Sequence, residues 1–205
     1  MQRLNSTEQA WCQIDGTLIF LDIARDRYFQ LTDRENHDML GQIQLAGLPT
    51  SHQPASLPPP SALMWAKRTS DAIGKGDFNL GEVARALWVQ RRVERRLKAQ
   101  GFGPTLCHLC QLLNSRHSDM PVSADAARRV ISAFDHGGLI RTAADRCLPR
   151  SIALAICLAS RGVSVQLVIG VKIAPFGAHC WVQAGDEVLN ETVEEALRYQ
   201  PILAI

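Results

Sequence analysis

The sequence predicts an α+β protein in two parts, and three observations carry that prediction. Residues 9–32 alternate apolar and polar side chains with the period of β-strands. Five prolines crowd residues 49–60, where neither helix nor sheet can continue. Beyond them the chain is dense in helical patterns, then ends on a helix followed by alternating strands, the order of helices gathered on one side of an antiparallel sheet. At 205 residues the chain holds one ordinary domain or two small ones.

The opening strands are "AWCQID", then Gly16, "TLIFLD", a polar turn and "YFQLT", a three-stranded antiparallel meander. Thr32 is placed to cap a helix over about 33–46, with Met39, Leu40 and Ile43 on one face and Gly47 as its stop. We divide the chain into residues 1–50, a proline-rich linker over 51–60, and residues 61–205. Helices are expected over 61–73, 82–99 and 104–115, and over 124–135, capped by Ser123 and ended by Gly137 and Gly138. The last expected helix runs over about 149–161 and closes at Gly162. After it come "VSVQLVIGVKI", "AHCWVQ", a Gly185-Asp186 turn and "EVLN".

Composition removes several classes of function. A net charge of +2 gives no general attraction to nucleic acid or to a membrane surface, and neither partner is expected. No run approaches the roughly 18 apolar residues of a membrane span. The N-terminal residues lack the apolar stretch of a secretory signal, so a soluble, cytoplasmic protein is expected. In that compartment the six cysteines are expected to be reduced, and each needs its own account.

Cys147 stands two residues ahead of Pro149, and proline favours the first helical turn. The thiol therefore falls at or near a helix N-terminus, where free N–H groups and the helix dipole favour thiolate and can stabilise an oxyanion on an attacked carbonyl. A nucleophilic thiol needs a base, and His179 opens a following strand. The base needs an orienting group, and the next strand ends in Asn190-Glu191. Neighbours on a strand point to opposite faces, so only one of those two serves. Singly, each residue has a bland reading as packing or surface.

The stretches "CLPRSIALAICLASRGVSVQLVIGV" and "PFGAHCWVQAGDEVLNE" resemble the transglutaminase-like, papain-like cysteine peptidases that remove the leader from lasso-peptide precursors. The resemblance makes Cys147 the nucleophile and His179 the general base. The family's third residue is an aspartate about twelve positions after the histidine, where this chain has Glu191; the resemblance therefore favours Glu191 for the role, with Asn190 as the alternative. It also implies two partners: a precursor peptide, and an ATP-dependent cyclase that closes the freed core into a macrolactam. No metal or organic cofactor is expected in this chain. It carries no GxxxxGK[ST] loop, so any ATP dependence enters through the cyclase.

"GTLIFLDIARDRYFQLTDRENHDML" resembles the small winged-helix-like recognition domain, a β-meander plus helices, that peptide-modifying systems use to hold a leader. Its open sheet edge suits an added peptide strand, with Leu21, Tyr28, Phe29 and Leu31 as candidate groove residues. Fusion to a peptidase raises the effective concentration of the scissile bond.

Other features carry less. Cys107, His108 and Cys110 have a metal-like spacing but no second pair at a suitable distance, and Cys157 and Cys180 read as core. The arginine-rich helix at 82–99 reads as a solvated face. Two rival functions remain open: an acyltransferase of the transglutaminase or arylamine-acetyltransferase kind, and a non-enzymatic nucleic-acid-binding or scaffold protein that uses the basic helix.

Overall fold

The computed structural model describes residues 8–47, 49–54, 65–73, 77–115, 124–140 and 147–205. The meander forms as expected: β1 (Gln9–Ile14), β2 (Thr17–Asp22) and β3 (Arg27–Gln30) pair antiparallel in sequence. Asp15 and Gly16 both take positive φ between β1 and β2, the backbone a two-residue hairpin requires. Helix α1 (Asp33–Leu45) starts at Thr32 in a reciprocal capping box with Glu35. Asn36 pins α1 to the hairpin, its Oδ1 accepting from Leu18 N–H at 2.9 Å and its Nδ2 donating to Gly16 C=O at 2.8 Å.

The proline-rich segment is not free chain along its described part. Ser51–His52 form strand β4, paired with β1, so the sheet has four strands in the order β3-β2-β1-β4. One face of this sheet, with Trp11, Leu18 and Phe20, packs on Ile43, Met39 and Leu40 of α1. The other, with Ala10, Cys12, Ile19 and Leu21, enters a core shared with the rest of the protein.

Residues 65–73, expected to be helical, contain none. Arg68–Thr69 form strand β5, paired in parallel with residues 187–188. Lys67 N–H donates to Asp186 C=O and Ser70 N–H to Val188 C=O, so long-range backbone pairing overrides local helix propensity. Residues 61–64 lie outside the described residues.

Helix α2 (Leu80–Gln100) is capped by Asn79, and Gly101 turns it into α3 (Phe102–Asn114) with φ of 85°. Helix α4 (Ala124–Ile140) runs through Gly137 and Gly138 instead of stopping there. Its cap, expected at Ser123, lies outside the described residues. Helix α5 (Cys147–Ala159) is nearly all buried from Ser151 onward.

The second sheet adds β6 (Gln166–Lys172), β7 (Gly177–Ala184), β8 (Glu187–Val188) and, after the short helix α6 (Val193–Ala196), β9 (Gln200–Ala204). Its order is β5-β8-β7-β6-β9, antiparallel except for β5 with β8. Strand β9 was not expected from the sequence. Gln53 clips the two sheets together by meeting both backbone groups of Ala204, at 2.7 and 3.0 Å.

A single hydrophobic cluster therefore runs from Ile19 and Leu21 of the first sheet through Leu106, Phe134, Leu154 and Leu158 to Val182 of the second. Each such fully buried side chain stabilises by about 1.5–3 kcal/mol. The result is the expected α+β architecture, with the N-terminal sheet built into the core of the C-terminal part.

Candidate active site

Cys147 is the first residue of α5 and is half-buried. Pro149 sits in the first turn, where its missing N–H costs nothing. Burial pushes the thiol up, but a hydrogen bond and charge from His179 and backbone groups of Cys180 and Leu148 outweigh it, so its pKa falls below the ordinary value. The other buried cysteines move the opposite way. Burial pushes Cys12 up to about 12, Cys110 up to about 11, Cys157 upward and the fully buried Cys180 well above the usual thiol range. Cys147 is the one among them that the surroundings steer toward thiolate.

His179 sits near the start of β7, paired in register with Gly170 of β6. A Cβ on Gly170 would come within 2.8 Å of Trp181 and of Tyr199, so only glycine lets those two rings close over the strand. They flank the imidazole, Trp181 roughly parallel at 6.2 Å and Tyr199 tilted at 5.1 Å between centroids. His179 Nε2 lies 3.4 Å from Glu191 Oε2, an ion-pair contact without the geometry of a well-formed hydrogen bond. That leaves Nδ1 as the nitrogen available to the thiol. Burial alone lowers the affinity of His179 for its proton, but Cys147 and Glu191 together raise its pKa to about 9. Glu191 is shifted down, first by His179, against burial, with help from the Thr192 N–H and the charge of Arg150.

Asn190 does not face the imidazole. Its Oδ1 accepts from Val182 N–H at 2.8 Å and its Nδ2 donates to Ser151 Oγ at 2.9 Å. Ser151, fully buried one turn after Cys147, in turn donates to Cys180 C=O at 2.8 Å. This chain ties α5 to the strand carrying His179, next to Cys147 on one side and His179 on the other. It turns the choice between Asn190 and Glu191 toward Glu191 as the imidazole's neighbour, with Asn190 as a clamp. Sequence reading missed Ser151, although its place four residues after Cys147 puts both on one helical face. It also missed Arg150, which bonds Asp135 and Phe134 C=O at 3.3 Å and lends its charge to Glu191.

The candidate groove residues divide by face. Phe29 and Leu31 line an open groove of about 420 Å³ with Phe20, Gln9, Asp22, Arg25 and Arg27. Leu21 is fully buried in the common core and Tyr28 packs against that core, both on the opposite face, so neither lines the groove. On α3, Cys107 is exposed while Cys110 is buried. On α2, the Arg92 guanidinium lies 4.7 Å over the exposed Trp88 ring. Among the described residues no helix is long and apolar enough to cross a membrane.

A cysteine at the head of a buried helix, facing a histidine on an antiparallel sheet, is the arrangement of the transglutaminase-like superfamily; that family's model matches residues 87–204, more than half of the chain, and the chain belongs to it. A narrower similarity is to the microcin J25-processing protein McjB of Escherichia coli, 47% identical over 45 residues. That match spans 22% of this chain and 22% of the length of McjB. No solved structure is a significant match.

Proposed function

We propose that this protein is a cysteine peptidase that removes the leader from a lasso-peptide precursor before a partner cyclase closes the macrolactam with ATP. The observation that carries the reading is the Cys147–His179 pair: a half-buried thiol with its pKa lowered, hydrogen-bonded to an imidazole whose pKa is raised to about 9. The opposite shifts favour the thiolate–imidazolium form of such a pair over the neutral one. The thiolate attacks the carbonyl at the leader–core junction, and N–H groups at the start of α5 stabilise the resulting oxyanion. The C–N bond breaks as the imidazolium gives its proton to the leaving core amine. Water, losing a proton to His179, then cleaves the thioester and releases the leader acid.

Similarity to a protein named for processing microcin J25 supports a precursor peptide as substrate. The open edge of β3 and the groove beside it, part apolar and part charged, support leader capture by strand addition, with Phe29 and Leu31 in contact. The test is mass spectrometry of a precursor peptide incubated with the protein and its cyclase, beside Cys147→Ala and His179→Ala. Release of a leader-sized mass by the wild type alone is expected. Equal cleavage by either variant would overturn the catalytic assignment, and acyl transfer to an added amine in place of hydrolysis would overturn the peptidase reading.

A further inference from the structure

The recognition sheet and the catalytic hairpin meet at a pair of rings. Tyr28 of β3 lies edge-on to Phe176, in the turn between β6 and β7, with centroids 5.8 Å apart. Phe176 precedes β7 and stands three residues ahead of His179. Tyr28 also packs against the common core, where Cys147 is partly buried. Burial holds its phenol neutral, far above the ordinary value, and the nearby Cys180, Asp26 and Cys147 add to the shift. Phe29, the next residue, faces the other way and stacks on Phe20 at 5.1 Å in the outer groove. The four residues of β3 thus turn one face to the groove and the other to the hairpin that bears the base.

We propose that Tyr28 is a positioning residue of the catalytic site: its ring braces Phe176, and through it the start of β7, so that His179 is held against Cys147. The N-terminal sheet is then part of the catalytic site and more than a tether for substrate. This rests on the proposed function only for the identity of the substrate. The brace itself acts on the thiol and imidazole whatever they attack. Phe176 is 51% exposed, so the turn has little other cover, and a small displacement of a reacting pair costs much in rate.

The test reads the thiol without substrate. Iodoacetamide labelling of Cys147 in the full chain is followed by mass spectrometry of its own peptide across pH 5–10, for wild type, Tyr28→Phe and Tyr28→Ala, with folding checked by circular dichroism. Tyr28→Phe keeps the ring and is expected to label like wild type. Tyr28→Ala is expected to lose about tenfold in labelling rate near neutral pH and to move the labelling midpoint toward that of an ordinary thiol. Phe176→Ala, in an exposed turn, should do the same, and it carries the test if Tyr28→Ala fails to fold. A folded alanine variant with an unchanged labelling profile overturns the proposal, because a merely structural ring would lower thermal stability alone. With a cleavable precursor, the brace predicts a fall in kcat at nearly constant KM. If wild type cleaves nothing, the labelling result still decides the brace, and only the peptidase reading fails.

Discussion

The two sheets are both largely antiparallel and both press one face into the same core, yet they treat their polar groups in opposite ways. The first keeps an outer strand, β3, and a groove of about 420 Å³ open beside it. In the second, the strand that carries His179 is locked on both flanks. Asn190, Ser151 and Cys180 form a continuous chain of hydrogen bonds, and Trp181 Nε1 donates to the buried Gln183 at 3.0 Å. An open edge can accept a varied peptide backbone at little cost. A proton-transfer pair needs fixed geometry, and buried, satisfied polar networks supply it. On the proposed function, recognition and chemistry would thus sit on the same kind of scaffold and differ in what is left unpaired.

The sharpest way to break that contrast is to remove the chemistry and leave the edge. Cys147→Ala and His179→Ala should each cost on the order of 10⁴-fold or more in kcat, and the double variant little beyond either single one, because the pair acts as a unit. Binding of a fluorescent precursor, measured by anisotropy, should stay near wild type in all three. Parallel loss of binding would mean the two sheets are not divided as described.

A pH profile comes next. Activity needs thiolate and imidazolium together, so it should rise with pH through the lowered Cys147 ionisation and fall through the His179 pKa of about 9. Glu191→Gln removes a negative neighbour of His179 and should draw the falling limb to lower pH, with a loss of roughly ten- to a hundredfold. The stability linkage has a definite sign. A folded-state pKa raised above the usual 6.5 gives stability that is complete below that value and is lost as pH climbs through about 9. A falling limb unmoved by Glu191→Gln would place the raising influence on Cys147 alone.

The clamp and the groove separate by which constant changes. Asn190→Ala leaves Val182 N–H without its acceptor and removes one of the two hydrogen bonds at Ser151 Oγ, a cost of about 1–3 kcal/mol in stability by thermal or urea unfolding, with kcat falling as the dyad loosens. Phe29→Ala and Leu31→Ala should instead raise KM about tenfold and leave kcat nearly unchanged, as for apolar contacts at an interface. A kcat effect from Leu31→Ala would show that the groove and the dyad are less distinct than the two faces of β3 suggest.

Much of this was legible in local chemistry, and what was hidden is non-local. The meander, the Thr32 cap and the Cys147–Pro149 helix start each follow from residues adjacent in sequence. Cys147 and His179 could be singled out because helix start and strand start each leave a signature, while the hairpin return narrowed the third residue to Asn190 or Glu191 and the family resemblance favoured Glu191. Strand β5 had none, since only its parallel partner at residues 187–188 makes Arg68–Thr69 a strand. The four candidate groove residues could not all share one face, since Tyr28 and Phe29 are neighbours on a strand. Which face meets the core depends on the rest of the chain, which buries Leu21 and packs Tyr28 against that core. Ser151 looked like one small polar residue in an apolar helix, and its role depends on Asn190, far along the chain.

Helix α4 gives the smallest and cleanest effect. Consecutive glycines read as a stop because glycine is poor in helix interiors, by roughly 0.5–1 kcal/mol against alanine. The helix nevertheless continues to Ile140, packed against α2 and α5. A Cβ at Gly137 would meet Leu87 Cδ2 at 3.5 Å, an ordinary van der Waals contact, so the site has room for a methyl group. Gly137→Ala should therefore stabilise the protein by about 0.5–1 kcal/mol in urea unfolding, and cleavage should be unaffected. At Gly138 the corresponding Cβ would stand 3.6 Å from the Arg150 guanidinium, which also bonds Asp135 and acts on Glu191. Gly138→Ala should gain less stability and disturb the falling limb of the pH profile if it shifts that arginine. Equal gains at both positions, with no change in pH dependence, would show that Arg150 is held independently of α4.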